Sequence, residues 1–180
     1  MAESQLHLNM KQWSADRYTK QGVPKKDIVI EKRFRKKNLK PGERIRASIA
    51  DVYVNDNGGT AIYCECKLSN MWLYDFIDRK LPIIQDYCSN IVVVLPYNLE
   101  MLEPVNFQTF YKELKINGVD VLISPHCKDV PNRSVVPITI SYRALEKLCK
   151  LRNKYNPQKP IVDFIEKDLE KLVRQKMGVS

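Results

Sequence analysis

The 180-residue chain, 44% hydrophobic, is long enough to bury one substantial core and short for two, and no window approaches the ~18 uninterrupted apolar residues that a membrane span requires. Its opening residues, MAESQLHLNMKQW, lack the basic-then-apolar layout of a secretory signal, so a single domain over residues 1–180 is expected, soluble and intracellular, in a cytoplasm or host-cell cytoplasm. The net charge of +9 is local: residues 17–46 hold twelve Lys/Arg against Asp27, Glu31 and Glu43, which equals the whole excess and excludes a uniformly basic surface.

In chain order, residues 4–20 predict a helix, with Leu6, Leu8, Met10, Trp13 and Tyr18 as apolar content and Gly22-Val23-Pro24 ending it. Residues 27–35 predict a strand in which Ile28, Ile30 and Phe34 share one side and Val29, Glu31 and Arg33 the other. After a basic loop, residues 44–54 and 60–68 predict a hairpin around Asn55-Asp56-Asn57-Gly58-Gly59, a cluster able to adopt the positive φ of a tight reversal. Residues 71–87 predict a helix in which Pro82 starts a second helix or kinks the first. Ile91 to Leu95 is continuously apolar, as a strand buried on both faces requires.

A helix over 104–114 and a strand over 119–124 follow, an order that implies a right-handed crossover in a mixed sheet. Further on, 126–133 predicts a loop, 135–140 an edge strand, 142–155 a helix, and 161–176 an amphipathic helix with Ile161, Ile165, Leu169, Leu172 and Val173 toward one side. The expected fold class is therefore α/β: a mixed central β-sheet flanked by helices over about 4–124, with a C-terminal helical extension over about 135–180.

The hairpin concentrates the chemistry. Strict alternation along 60–68 places Ala61, Tyr63, Glu65 and Lys67 on one face and Ile62, Cys64, Cys66 and Leu68 on the other. Cys64 and Cys66 then read as core thiols. Five cysteines with no CxxC pair and no zinc-spaced His point to free thiols in a reducing compartment. Asp51 and Glu65 lie comparable distances before and after the turn, so both carboxylates can meet one divalent cation, Mg2+ or Mn2+, aided by the backbone carbonyl of Cys66. Lys67 is placed to orient the attacking water and balance charge on a phosphate. A cross-strand ion pair at the surface uses the same residue types.

The order helix, strand, hairpin carrying Asp51 and Glu65-Cys66-Lys67, helix and the apolar NIVVVLP strand resembles the PD-(D/E)xK nuclease superfamily, which includes restriction endonucleases, archaeal Holliday-junction resolvases and phage exonucleases. The resemblance spans about residues 4–124. Ala50 stands where the motif's name has Pro. It implies a restriction-endonuclease-like core and a magnesium-dependent nuclease acting on DNA, with Asp51, Glu65 and Lys67 catalytic. It also implies an additional metal-site acid from an upstream element, for which Glu31 is the candidate and Glu3 the second choice. Glu31 would equally serve as a salt-bridge partner of Arg33 or Arg46. Gln85 resembles the glutamine that some exonuclease branches place near the metal, although a helix-surface amide explains it as well.

The basic segment supplies candidate backbone contacts in Lys32, Arg33, Arg35, Lys36, Lys37, Lys40, Arg44 and Arg46. His7 and Lys11, four apart on the first helix, share a face that could touch a phosphate, and His126 has less support. No base-reading module is recognisable, which favours a structure-selective or nonspecific nuclease. A homodimer is compatible with cutting both strands. Two other classes use the same features: a noncatalytic nucleic-acid-binding protein with Asp51 and Glu65 structural, and a protein–protein adaptor using the last helix.

Overall fold

The structure, a computed structural model, describes residues 3–38, 47–128, 146, 147, 149, 150, 153 and 154. The expected strand over 135–140 and the last helix over 161–176 lie outside these residues, as do Lys40, Arg44 and Arg46. Among the described residues no helix is long and apolar enough to cross a membrane.

Helix α1 (Gln5–Lys20) begins where the Ser4 side chain accepts a hydrogen bond from the His7 N–H at 3.3 Å, a conventional N-cap. It ends at Gln21, followed by Gly22 at φ +95°, a conformation a side chain would strain. Strand β1 (Ile28–Arg35) pairs antiparallel with β2 (Ala47–Val54), and β2 pairs antiparallel with β3 (Thr60–Cys64) across a turn containing Gly58 and Gly59 at φ +100° and +75°. Then β3 pairs parallel with β4 (Asn90–Pro96), and β4 parallel with β5 (Asp120–Ser124). The mixed five-stranded sheet has the order β1-β2-β3-β4-β5, as α/β patterning requires.

Two layers cover the sheet. On one face α1 packs Met10 and Ala15 against Val52, Val54, Ile62, Cys64, Val92 and Val94. On the other, α2 (Asn70–Asp75), α3 (Leu81–Gln85) and α5 (Pro104–Ile116) pack Leu73, Ile84, Phe107 and Leu114 among Ala61, Tyr63, Val93 and Ile123. A one-turn helix, α4 (Leu99–Leu102), precedes α5. Every residue of β3 is buried, which is why its middle shows no polar alternation.

Between α2 and α3 the helix widens into a π turn, Phe76–Lys80. Pro82 lies directly after it, in the first turn of α3. A proline lacks the N–H of an α-helical bond and crowds the preceding turn, so a locally wider helix accommodates it. Both sequence alternatives for Pro82 are thus partly realised.

Residues 146, 147, 149, 150, 153 and 154 are helical, inside the expected 142–155 helix. Cys149 is buried in the larger core cluster, and the Asn153 side chain accepts from the Ile123 N–H and donates to the Ile123 carbonyl, both at 3.2 Å. This amide satisfies backbone groups of the edge strand β5.

One expectation about sidedness fails. Ile28 packs on the α1 face and Phe34 on the opposite face, while Ile30 is 48% exposed, so the three do not share a side. The switch occurs at Glu31 and Asp51, the step between the pairs Ile30↔Val52 and Lys32↔Ala50 at which the ladder has no pair. Glu31 has φ +58°, rare for a residue with a side chain, and that single residue resets the alternation of β1. In β2 likewise, Ser48 joins the Tyr63 side through a 2.8 Å hydroxyl contact whereas Val52 and Val54 face α1.

Candidate functional site

The reset in β1 and β2 lies beside the C-terminal end of β3, and three acids meet α1 there. Glu3, His7 and Lys11, spaced by four from the residue before the Ser4 N-cap into α1, meet on one side of the helix. The Lys11 ammonium is 2.5 Å from Glu3 Oε1, 2.8 Å from Glu31 Oε1 and 3.5 Å from Asp51 Oδ1. His7 bridges Glu3 through Nδ1 at 3.1 Å and approaches Asp51 Oδ1 through Nε2 at 3.2 Å. That Nε2 is buried and its alignment with Asp51 falls short of a hydrogen bond, so the contact is electrostatic in character.

Lys11 is 5% exposed, unusual for a lysine. Burial pulls its ammonium toward the neutral form, but hydrogen bonds to Glu3 and Glu31 and the nearby Asp51 charge overcome that and hold its pKa above the ordinary value. Its neighbour His7 is also raised, chiefly by Asp51, against opposing burial.

Asp51 and Glu65 are each anchored by one oxygen. Asp51 Oδ2 accepts the Cys64 N–H at 2.6 Å, and Glu65 Oε1 accepts both the Cys66 and Lys67 N–H groups at 2.9 Å. Burial raises the Glu65 pKa, those two N–H donors oppose the rise, and Asp51 adds to it, so the two carboxylates feel one another. The other Glu65 oxygen is away from these backbone donors, while Asp51 Oδ1 faces His7 and Lys11; carboxylate oxygens are the ligands a hard divalent cation takes.

The strand carrying the motif is shorter than alternation along 60–68 implies. It ends at Cys64, with only the Glu65 N–H reaching on to the Val94 carbonyl at 3.0 Å. Because Glu65 turns its carboxylate back onto its own two following N–H groups, the chain leaves the sheet there. As a result Leu68 packs with the α2 side, not with Ile62 and Cys64. Lys67 is exposed and makes no ion pair with Asp51 or Glu65 among the described residues.

Cys64 and Cys66 pack against α1, with Cys66 Sγ 3.8 Å from Met10 Sδ. Donor atoms of His7, Asp51 and Cys64 nevertheless lie within 4.8 Å of one another. The Cys64 thiol is pushed up by burial and by Asp51, so it stays protonated and is a poor partner for a hard cation. Glu65 belongs to no group that tight among the described residues.

The other sequence candidates scatter. Gln85 is exposed at the end of α3, and the segment following it is tied to the hairpin turn through the Ser89 N–H and the Gly58 carbonyl at 2.8 Å, the opposite end of β3 from Glu65. Lys32, Arg33 and Arg35 line a cleft of about 590 Å³ with Phe34, Tyr53 and Tyr87. The Lys32 and Lys37 ammonium groups lie 5.8 Å and 4.4 Å from the Tyr53 and Tyr87 ring centres. Lys37 also donates to the Asp86 carbonyl at 2.6 Å, and Lys36 is half-buried. Neither His7 nor Lys11 stands free for a phosphate; both serve carboxylates. Glu31 pairs with Lys11, 20 residues away, a partner that neither Arg33 nor Arg46 anticipated. The missed signal was the Glu3-His7-Lys11 spacing, legible as a stripe but not as a counter-ion set. Comparison with protein-family models, with curated proteins and with solved structures found no match in any of the three.

Proposed function

We propose that this chain is a metal-dependent nuclease of the PD-(D/E)xK type, hydrolysing phosphodiester bonds of DNA without base-sequence selection. What carries the reading is the anchoring of Asp51 and Glu65: each carboxylate is held by backbone N–H through one oxygen, Asp51 on β2 and Glu65 just past the end of β3, and a shared ion would take Asp51 Oδ1 from the His7 and Lys11 side chains that face it. The donor chemistry fits Mg2+ or Mn2+, with Asp51, Glu65 and the Cys66 backbone carbonyl as its ligands and Glu31 in reserve. Such an ion would polarise the phosphate and ease deprotonation of water. Lys67, exposed beside Glu65, supplies a mobile ammonium for the incoming phosphate and water. Lys11 offsets one of the four carboxylate charges of Glu3, Glu31, Asp51 and Glu65, and a divalent ion would offset two more.

The Lys11 contacts also favour a second reading, a nucleic-acid-binding protein whose acids are structural, because an internal ammonium already satisfies Glu3 and Glu31. Incubation with linear duplex, single-stranded and four-way-junction DNA, with and without manganese or magnesium, separates the two. Metal-dependent cleavage that falls about a thousandfold or more in Asp51→Asn and in Glu65→Gln, with DNA binding retained, is expected for the nuclease. Binding without cleavage under every metal condition selects the second reading.

A further inference from the structure

A cleft of about 490 Å³ opens between the C-terminal half of α1 and helical residues Glu146, Lys150, Asn153 and Lys154, lined on the α1 side by Trp13, Arg17, Lys20 and Gln21. Among the described residues Arg17, Lys20 and Lys150 meet one carboxylate there. Glu146 lies 3.9 Å from the Lys20 ammonium and 4.0 Å from that of Lys150, loose pairs at the edge of ion-pair range. Arg17 Nε is buried with no hydrogen-bond partner among the described residues, although a guanidinium N–H removed from water ordinarily finds an acceptor. The wall is tied down on both sides: Trp13 packs into the α1 core and edge-on against His126 at 6.5 Å, and Asn153 is bonded to β5.

This cleft is separate from the acid cluster. Residues 13, 17 and 20 lie about nine residues further along α1 than Glu3, His7 and Lys11, roughly 14 Å at 1.5 Å per residue, and on a different side of the helix. We propose that the cleft binds a nucleotide unit, its phosphate held by Arg17, Lys20 and Lys150 and its base against the Trp13 indole. An arginine with an unused donor and two lysines suit phosphate oxygens, and an aromatic wall suits a base, which distinguishes this ligand from a simple inorganic anion. The nucleotide is either free or part of a strand bound at the neighbouring site. Binding does not depend on the cleavage reading.

The test uses tryptophan fluorescence in Trp72→Phe protein, where Trp13 is the remaining tryptophan, with a chelator present so that no cleavage occurs. Adenosine monophosphate, a dT oligonucleotide and inorganic phosphate are titrated in parallel. Saturable quenching by the monophosphate or the oligonucleotide is expected, with inorganic phosphate competing without quenching. Stronger response to the monophosphate assigns a free nucleotide, and stronger response to the oligonucleotide assigns a strand. Arg17→Gln with Lys150→Gln removes two charge-assisted contacts and should weaken binding about tenfold at the least, the loss that one such hydrogen bond alone predicts. Absence of saturable quenching by either ligand, or equal affinity in the folded double variant, overturns the proposal. Because Asp51 and Glu65 are intact and idle in this assay, a failed nuclease reading leaves its outcome unaffected.

Discussion

The sheet has two unlike halves. Strands β3, β4 and β5 run parallel and are almost wholly buried, between α1 on one face and α2, α3 and α5 on the other. Strands β1 and β2 run antiparallel, keep Val29, Ile30 and Ile49 exposed, and break their own alternation at Glu31 and Asp51. The parallel half contributes most of the apolar burial, and the antiparallel half, beyond Phe34, Ala50, Val52 and Val54 in the cores, supplies charge and local strain to the seam where the candidate site lies. Stability and chemistry are thereby weighted to different parts of the sheet, a division that substitutions can test.

The largest stability difference should separate Phe76→Ala from Ile49→Ser. Phe76 is fully buried between Tyr63 and Trp72, at ring-centre distances of 4.9 Å and 4.8 Å, and its removal should cost about 3–5 kcal/mol in urea unfolding. Ile49 is 52% exposed, and its substitution should stay within about 0.5 kcal/mol. Comparable losses from both would show that the antiparallel half carries a core of its own.

At the seam, Lys67→Ala should lower single-turnover cleavage about a hundredfold while calorimetric manganese affinity stays unchanged, since its ammonium touches no carboxylate of the site. Lys67→Arg should not restore the rate, because a planar fork does not replace a compact point charge. A wild-type rate in Lys67→Ala would make Glu65-Cys66-Lys67 an ordinary strand end.

Removing the internal cation tests the kink. Lys11→Met keeps the packed stem but removes the ammonium from Glu3, Glu31 and Asp51 and leaves only His7 beside Glu3 and Asp51, a loss of about 1–2 kcal/mol once discounted for the 60% exposure of Glu31. Millimolar manganese should recover part of that loss in a melting experiment, and no recovery would mean that the acids do not converge on a cation.

The smallest effect concerns His126, whose pKa is lowered by burial from its ordinary 6.5. The unfolded chain then binds the proton more readily, so the His126 contribution to stability should fall as pH drops through 6.5 and level off below the folded value, while His7, raised, contributes with the opposite sign. The His126 part is therefore read as the difference between the wild-type chain and His126→Gln, and it should remain under about 1 kcal/mol. A wild-type chain that gains stability relative to His126→Gln on acidification would reverse the assigned direction.

Much of the chain order was legible beforehand, because local patterns carry it. The α1 stripe, the Gly58-Gly59 turn and the unbroken apolar run of β4 each express a physical requirement of one element, and each element forms where its residues demand. The Asp51 and Glu65 positions were legible for the same reason, as charged residues flanking one hairpin. The end of β3 at Cys64 was not, since Glu65 stops the strand by bonding its own backbone, a competition that alternation along 60–68 ignores.

What the amino-acid order determined by itself was therefore the kind and succession of elements, the core of β3 to β5, and the placing of acids beside a hairpin turn. Tertiary structure alone decided which groups meet. The φ +58° at Glu31 reverses the sides of β1, and α1, docked on β2 and β3, brings Lys11 to Glu31 and Asp51 across 20 and 40 residues. Such pairings depend on helix docking and sheet twist summed over the whole fold, so periodicity within any one segment carries no information about them.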